Sequence, residues 1–192
     1  GMMPVYERVM AMAEGAAIMS NVDYKISLIS GIYEVLVNRS GGEIMQHNLE
    51  LLGPIKYTEA ETAFGKKIQE ATDKPQVGLD GSIKPLAETR ENPGGGSTDV
   101  GDVSWNVANI NLNVTTAPVD TPWHSWAVVA CGGMSIGHKG MVYAAKAMAF
   151  TMMDLFENPE MLSKVKAEYK ERKGDEVYKA MIPEGPPPVP SK

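Results

Sequence analysis

The 192 residues are 43% hydrophobic, 22% charged and 7% aromatic, a balance that fits one domain with a core, or one with a small appendage, and excludes a collagen, a disordered acidic tail or a disulfide scaffold. Twenty-four acids against 18 bases leave a net charge of −6, without the basic excess that nucleic-acid binding needs. Cys131 is the single cysteine, no apolar run approaches the ~18 residues of a membrane span, and no secretory leader opens the chain, so a cytoplasmic protein without a membrane partner is expected.

Gly1 before Met2-Met3 reads as a cloning remnant, which makes Met2 the expected natural start. Val5, Val9, Met12, Ala16 and Met19 recur at helical spacing and predict a first helix with one apolar face, opened by Pro4 in its first turn. Tyr24, Ile26 and Leu28 alternate with Lys25 and Ser27, the period of a half-buried strand, and Ile32 to Val37 suits a second strand after Gly31. After Gly41-Gly42 a short helix carries Ile44, Met45, Leu49 and Leu52. Thr58 and Glu61 have the spacing of a capping box before Phe64, Ile68 and Ala71, which predicts a helix over about 58–72. Residues 73–103 are poor in apolar side chains, and so long an irregular loop is usually functional or disordered. Ile110, Leu112 and Val114 alternate with asparagines and predict a third strand. Ser135–Gly140 leads into a helix over 141–157 that is rich in Ala and Met, with Ala144, Ala145, Met148, Ala149 and Met152 as its close-packing residues. Asn158-Pro159-Glu160 is a helix start, and Leu162, Val165 and Tyr169 form the inner stripe of a last helix reaching about Met181. The final Gly-Pro-Pro-Pro-Val-Pro run is expected to be extended or disordered.

Three places carry candidate chemistry. His124 sits in Thr121-Pro122-Trp123-His124-Ser125-Trp126, a loop after a strand, where flanking tryptophans would hold and partly desolvate an imidazole as a metal site needs. Gly94-Gly95-Gly96-Ser97-Thr98-Asp99 would let backbone approach an anion and offer it hydroxyls, although it is neither a Walker loop nor the dinucleotide fingerprint. His138, in Ser135-Ile136-Gly137-His138-Lys139-Gly140, stands where an imidazole caps a helix or touches a ligand, whereas His47 reads as an ordinary surface residue. Apolar-flanked Cys131 reads as inert core, and neither a Gly-x-Ser-x-Gly elbow nor a Cys-x-x-Cys pair occurs.

The strings Gly96-Ser97-Thr98-Asp99-Val100-Gly101-Asp102-Val103-Ser104-Trp105, Thr121-Pro122-Trp123-His124-Ser125-Trp126 and Cys131-Gly132-Gly133 with Ile136-Gly137-His138-Lys139-Gly140-Met141 resemble the C-terminal half of an amidohydrolase of the M20 family of dinuclear metallopeptidases. Ala13-Glu14-Gly15-Ala16-Ala17 and Glu157-Asn158-Pro159 extend the likeness over essentially the whole chain. The resemblance implies an α/β fold, with residues 1–40 as the closing part of a ferredoxin-like dimerisation (lid) domain. Residues 41–192 would form the C-terminal part of a zinc-peptidase-like catalytic domain, with a Pro-rich tail over 185–192. It implies hydrolysis of an amide beside a glutamate-like carboxylate, as in aminobenzoyl-glutamate, by water on zinc or manganese with a carboxylate base. His124 would be a metal ligand, Gly96, Ser97 and Thr98 would face the substrate, and His138 would lie at the pocket rim.

The chain departs from that pattern where the chemistry is densest. His47, His124 and His138 are followed two positions on by Leu49, Trp126 and Gly140, so no His-x-Asp is present, and there is no Glu-Glu pair to supply base and ligand. No catalytic residue is assigned, therefore, and the chain alone is expected to be inactive and to hold no metal tightly. The expected partner is either a second copy of this chain, most simply in a symmetric dimer through residues 4–38, or a complementary N-terminal segment that would complete the centre. The alternative is a non-catalytic interaction or oligomerisation module derived from that enzyme.

Overall fold

In the computed structural model, which describes residues 2–88 and 96–186, seven α-helices follow one another: α1 (Met2–Ser20), α2 (Arg39–Leu52), α3 (Glu59–Ala71), α4 (Val100–Ser104), α5 (Trp126–Gly132), α6 (Ser135–Glu157) and α7 (Pro159–Lys173). Among the described residues there is no β-strand, which overturns the expected α/β fold and its ferredoxin-like remnant. Residues 22–38 and 107–116 carry the period-two patterns yet join no ladder. Alternation marks which side of an extended chain is apolar, but a strand also needs a neighbour to take its N–H and C=O groups. The irregular segments meet through isolated bonds rather than ladders, such as Ile55 N–H to the Gly81 carbonyl at 3.0 Å and Val119 N–H to that of Gly78 at 3.1 Å. Gly94, Gly95 and most of the Pro-rich tail (187–192) lie outside the described residues.

The chain divides into two units, residues 1–32 with 179–192, and residues 33–178. In the first, α1 ends where Asn21 turns left-handed (φ 51°) and Val22 N–H closes on the Ala17 carbonyl at 3.1 Å. Ala17 is the one buried side chain among the described residues of this unit, while Val5, Val9, Met12 and Met19 of the expected inner stripe are exposed. The stripe exists in sequence, but this unit offers no surface that covers it.

The second unit is built on caps and cross-helix polar bonds. Asn38 precedes α2, accepts from Gly41 N–H at 2.8 Å and donates to the Val165 carbonyl of α7 at 2.9 Å. Glu168 of α7 accepts from Arg39 and Ser40 N–H at 2.8 and 2.6 Å, so a carboxylate on one helix satisfies the free donors of another. Because these caps lie at 38–40, α2 begins before Gly41-Gly42 rather than after. The capping box of α3 forms as expected, Thr58 and Glu61 each bonding the other's N–H. Helix α7 opens on Asn158 and Pro159 but ends at Lys173, short of 181, since Gly174 leaves the helix with φ 58°.

Helix α6 packs against α2, α5 and α7, and α2 also against α7. Its inner residues are Ile136, Gly140, Ala147 and Thr151, while Met148 and Met152 are exposed, so the small-residue stripe lies on another face than expected. Gly140 is required: a Cβ there would stand 2.7 Å from the Thr115 carbonyl oxygen. Between the helices, buried Asn48 donates to Thr151 Oγ1 at 3.2 Å and to Asp154 Oδ2 at 2.6 Å. Ile68, Ala127 and Cys131, flanked by Phe64, Ala117 and Ala130, form the apolar centre between α3 and α5. Gln69, fully buried, bonds both the N–H and carbonyl of Gly78 and the Val119 carbonyl, and so ties two irregular segments to α3.

Candidate functional site

The three stretches carrying candidate site residues belong to the second unit. Gly96, Ser97 and Thr98 are exposed and irregular, and they lead into α4. Thr98 Oγ1 accepts from Val100 N–H at 3.3 Å, and its carbonyl accepts from Gly101 N–H at 3.2 Å, so Thr98 starts the short helix. That helix is anchored from beneath: the buried Ser104 hydroxyl donates to the Gly101 carbonyl at 2.6 Å and accepts from Leu36 N–H at 2.8 Å. Trp105 Nε1 donates to the Glu34 carbonyl at 2.9 Å, and the Tyr33 ring packs on Trp105 and Tyr178 with centroids 5.5 and 5.2 Å apart. Gly96 has no atom near the position of a Cβ. The described part of the loop is thus held at its α4 end, with Gly96 open to solvent.

His124 occupies the left-handed region (φ 59°), which histidine tolerates better than most residues, in a turn fixed by Thr121 Oγ1 to the Pro118 carbonyl at 2.7 Å and Ser125 Oγ to that of Pro122 at 2.6 Å. The imidazole is exposed, and so are Trp123 and Trp126, so the desolvated aromatic setting expected from the sequence is not formed here. Among the described residues no group of three or more His, Cys, Asp or Glu is placed to hold a metal ion. A dinuclear centre needs several protein ligands besides open positions, so the described donors do not fit one by themselves. Cys131 is fully buried, and burial pushes its thiol up, as inert core requires.

His138 is exposed on a different wall. It stands on the first turns of α6 with Ser135, Lys139, Val142 and Lys146, which share one face at spacings of three and four. With Leu52, Ile55 and Lys56 they line a cavity of about 480 Å³. A second cavity of about 1060 Å³ lies against Met45, Asp80, Asn111, Asn113, Trp123 and neighbours, and the two share Ile55 and Tyr143 as wall residues. Tyr143 is fixed by donating to the Gly53 and Leu49 carbonyls at 2.8 and 3.1 Å, and burial raises its phenol above the ordinary value. His124 and residues 96–98 line neither cavity, so the three sequence-derived sites are not gathered into one pocket.

The strongest electrostatic feature was missed in the sequence. Glu61, nearly buried, accepts from Lys139 Nζ and Ser135 Oγ at 2.6 Å each and from Thr58 N–H at 2.7 Å. The Lys139 ammonium above all, then the Ser135 hydroxyl and Thr58 N–H, outweigh burial and hold this carboxyl at about 2. Lys139 also donates to the Lys56 carbonyl at 3.0 Å and lies 5.7 Å from the Tyr57 ring centroid. The capping box was legible, but nothing at 58–61 signals an ion-pair partner 78 positions away.

No described helix is long and apolar enough to cross a membrane. No protein-family model matches the chain, and no solved structure does. In sequence the chain is 30% identical, over 213 aligned positions, to one of the subunits of p-aminobenzoyl-glutamate hydrolase from Escherichia coli (strain K12). That match covers 98% of this chain and 44% of the hydrolase subunit, so the chain spans less than half the length of the relative it matches. Nearly all of this chain is therefore similar to a portion of that hydrolase subunit, consistent with a C-terminal part of it.

Proposed function

We propose that this chain is the C-terminal part of an M20-type, metal-dependent amidohydrolase that cleaves the amide of aminobenzoyl-glutamate-like substrates, and that it is inactive until a complementary segment completes the centre. The observation that carries this reading is the 30% identity with a p-aminobenzoyl-glutamate hydrolase subunit across 98% of the chain. In this assignment the chain contributes the exposed Gly96-Ser97-Thr98 loop to substrate binding, His138 to the pocket rim, and His124 as one ligand to zinc or manganese. A metal held there would supply Lewis-acid activation of water, and a general base would have to come from the complementary segment, because this chain has no Glu-Glu pair.

A second reading, an interaction or oligomerisation module without chemistry, is favoured by the exposed apolar stripe of α1. Supplying in trans a segment equivalent to the unmatched portion of the hydrolase subunit, with zinc or manganese, separates the two. Release of aminobenzoate by the mixture, absent with either part alone and lost in His124→Ala, supports the split hydrolase. A stable but inactive complex supports the module. Turnover by this chain alone that vanishes in His124→Ala overturns the assigned inactivity.

A further inference from the structure

The α6 cavity has a charge character opposite to that of the chain. Net charge is −6, with 24 acids to 18 bases, yet none of the ten residues lining this cavity is acidic and three are lysines. The lysines are not equivalent. Lys139 is held in place by Glu61 and by the Lys56 carbonyl, so its charge is answered within the protein. Lys56 and Lys146 are exposed, and no ion pair forms at either ammonium among the described residues. His138 lies on the same face of α6, and among the described residues its imidazole makes no ion pair. The apolar part of the lining is Leu52, Ile55 and Val142. Two unanswered ammonium groups and an imidazole beside an apolar wall describe a receptor for a compact anion with an apolar body.

We propose that this cavity binds a small organic carboxylate, its apolar portion on Leu52, Ile55 and Val142 and its carboxylate between Lys56, Lys146 and His138. The volume of about 480 Å³ is at the small end of ligand sites, which suits a single ring or short chain rather than a nucleotide. The rigidity comes from the Glu61–Lys139 pair and the Tyr143 bonds beneath the cavity, which fix α6 against α3 and the end of α2 before any ligand arrives. Because His138 is also the residue placed at the hydrolase pocket rim, this assignment deepens that reading, and a benzoate titration of the chain alone can fail while the complementation assay succeeds.

Benzoate is the probe, with benzamide as its neutral counterpart and inorganic phosphate as an anion without an apolar body. Titration of the full chain, followed by amide chemical shifts, is expected to give saturable benzoate shifts confined to residues 52–56 and 135–146. Benzamide and phosphate are expected to leave those amides unsaturated over the same range. Lys56→Gln with Lys146→Gln, two exposed positions, should weaken benzoate at least about fivefold without altering far-ultraviolet dichroism, and raising salt should weaken it in the wild type. Equal binding of benzamide, equal binding of phosphate, or wild-type affinity in the double variant would each overturn the proposal.

Discussion

Replacing Glu61 by glutamine tests the electrostatic clamp between α3 and α6. The carboxyl is held at about 2 against an ordinary 4.5 by the Lys139 ammonium, the Ser135 hydroxyl and Thr58 N–H. A shift of that size corresponds to roughly 3 kcal/mol at about 1.4 kcal/mol per unit. Lys139 is 36% exposed, and water screens its share, so about 2 kcal/mol is the expected loss at neutral pH. Because the folded-state value lies below the unfolded one, this stabilisation is complete above about pH 4.5 and disappears as pH falls toward 2. All three tryptophans, Trp105, Trp123 and Trp126, lie in the second unit, so their fluorescence during urea unfolding reports on this clamp. Glu61→Gln should lower the urea midpoint by about 1 M at pH 7, and the gap should close progressively below pH 4. A gap of the same size at pH 7 and pH 3 would refute the charge argument, and no gap at pH 7 would refute the clamp.

Gly101→Ala forces a Cβ against the Tyr33 carbonyl oxygen beneath α4 and should destabilise the second unit by about 2 kcal/mol or more, read in the same urea titration. A dialysed sample of this chain is expected to hold well under one equivalent of zinc or manganese by elemental analysis, and two tightly bound ions per chain would show that the ligand census is wrong. Sedimentation over a dilution series should reveal self-association, driven by the uncovered α1 stripe of Val5, Val9, Met12 and Met19; a monomer at every concentration would refute it.

Helix starts were legible because their signals are local. Thr58 with Glu61, and Asn158 before Pro159, accept from donors two or three residues away, so a short window of sequence contains both partners. The cap of α2 was only half visible, since Asn38 is adjacent but Glu168 arrives from 129 positions away. Burial was less legible than helicity. Leu162, Val165 and Tyr169 turn inward as their spacing predicts, with Tyr169 donating to the Trp105 carbonyl at 2.9 Å, whereas the equally regular stripe of α1 stays in solvent. Periodicity says that a face is apolar, and only the rest of the fold decides whether anything covers it. The same limit explains the strands. Tyr24, Ile26 and Leu28, like Ile110, Leu112 and Val114, have the right alternation and no ladder partner.

The motif that carried the resemblance can now be divided by what each residue does in the fold. Gly101, Gly137 and Gly140 are explained by close approach: a Cβ at 137 would stand 2.5 Å from the Gly132 carbonyl oxygen, and those at 101 and 140 would meet the carbonyls of Tyr33 and Thr115. Ser135 and Lys139 are explained by Glu61, Ser104 and Trp105 by the segment over 34–36, and Cys131 by the apolar centre. These positions would be constrained in any helical unit built this way, whatever it binds. Ser97, His124 and His138 are among the motif residues that remain. Each is exposed, none supports the packing of a neighbouring element, and His124 is held in a left-handed turn. Residues that cost the fold something, or give it nothing, and still present functional groups to solvent are where chemistry is to be sought. A substitution series therefore has a built-in control. Asparagine at His124, which keeps the left-handed turn, or alanine at His138 should leave stability in the urea titration within about 0.5 kcal/mol of wild type, so any loss of ligand binding or of complemented activity there reports on function rather than on folding.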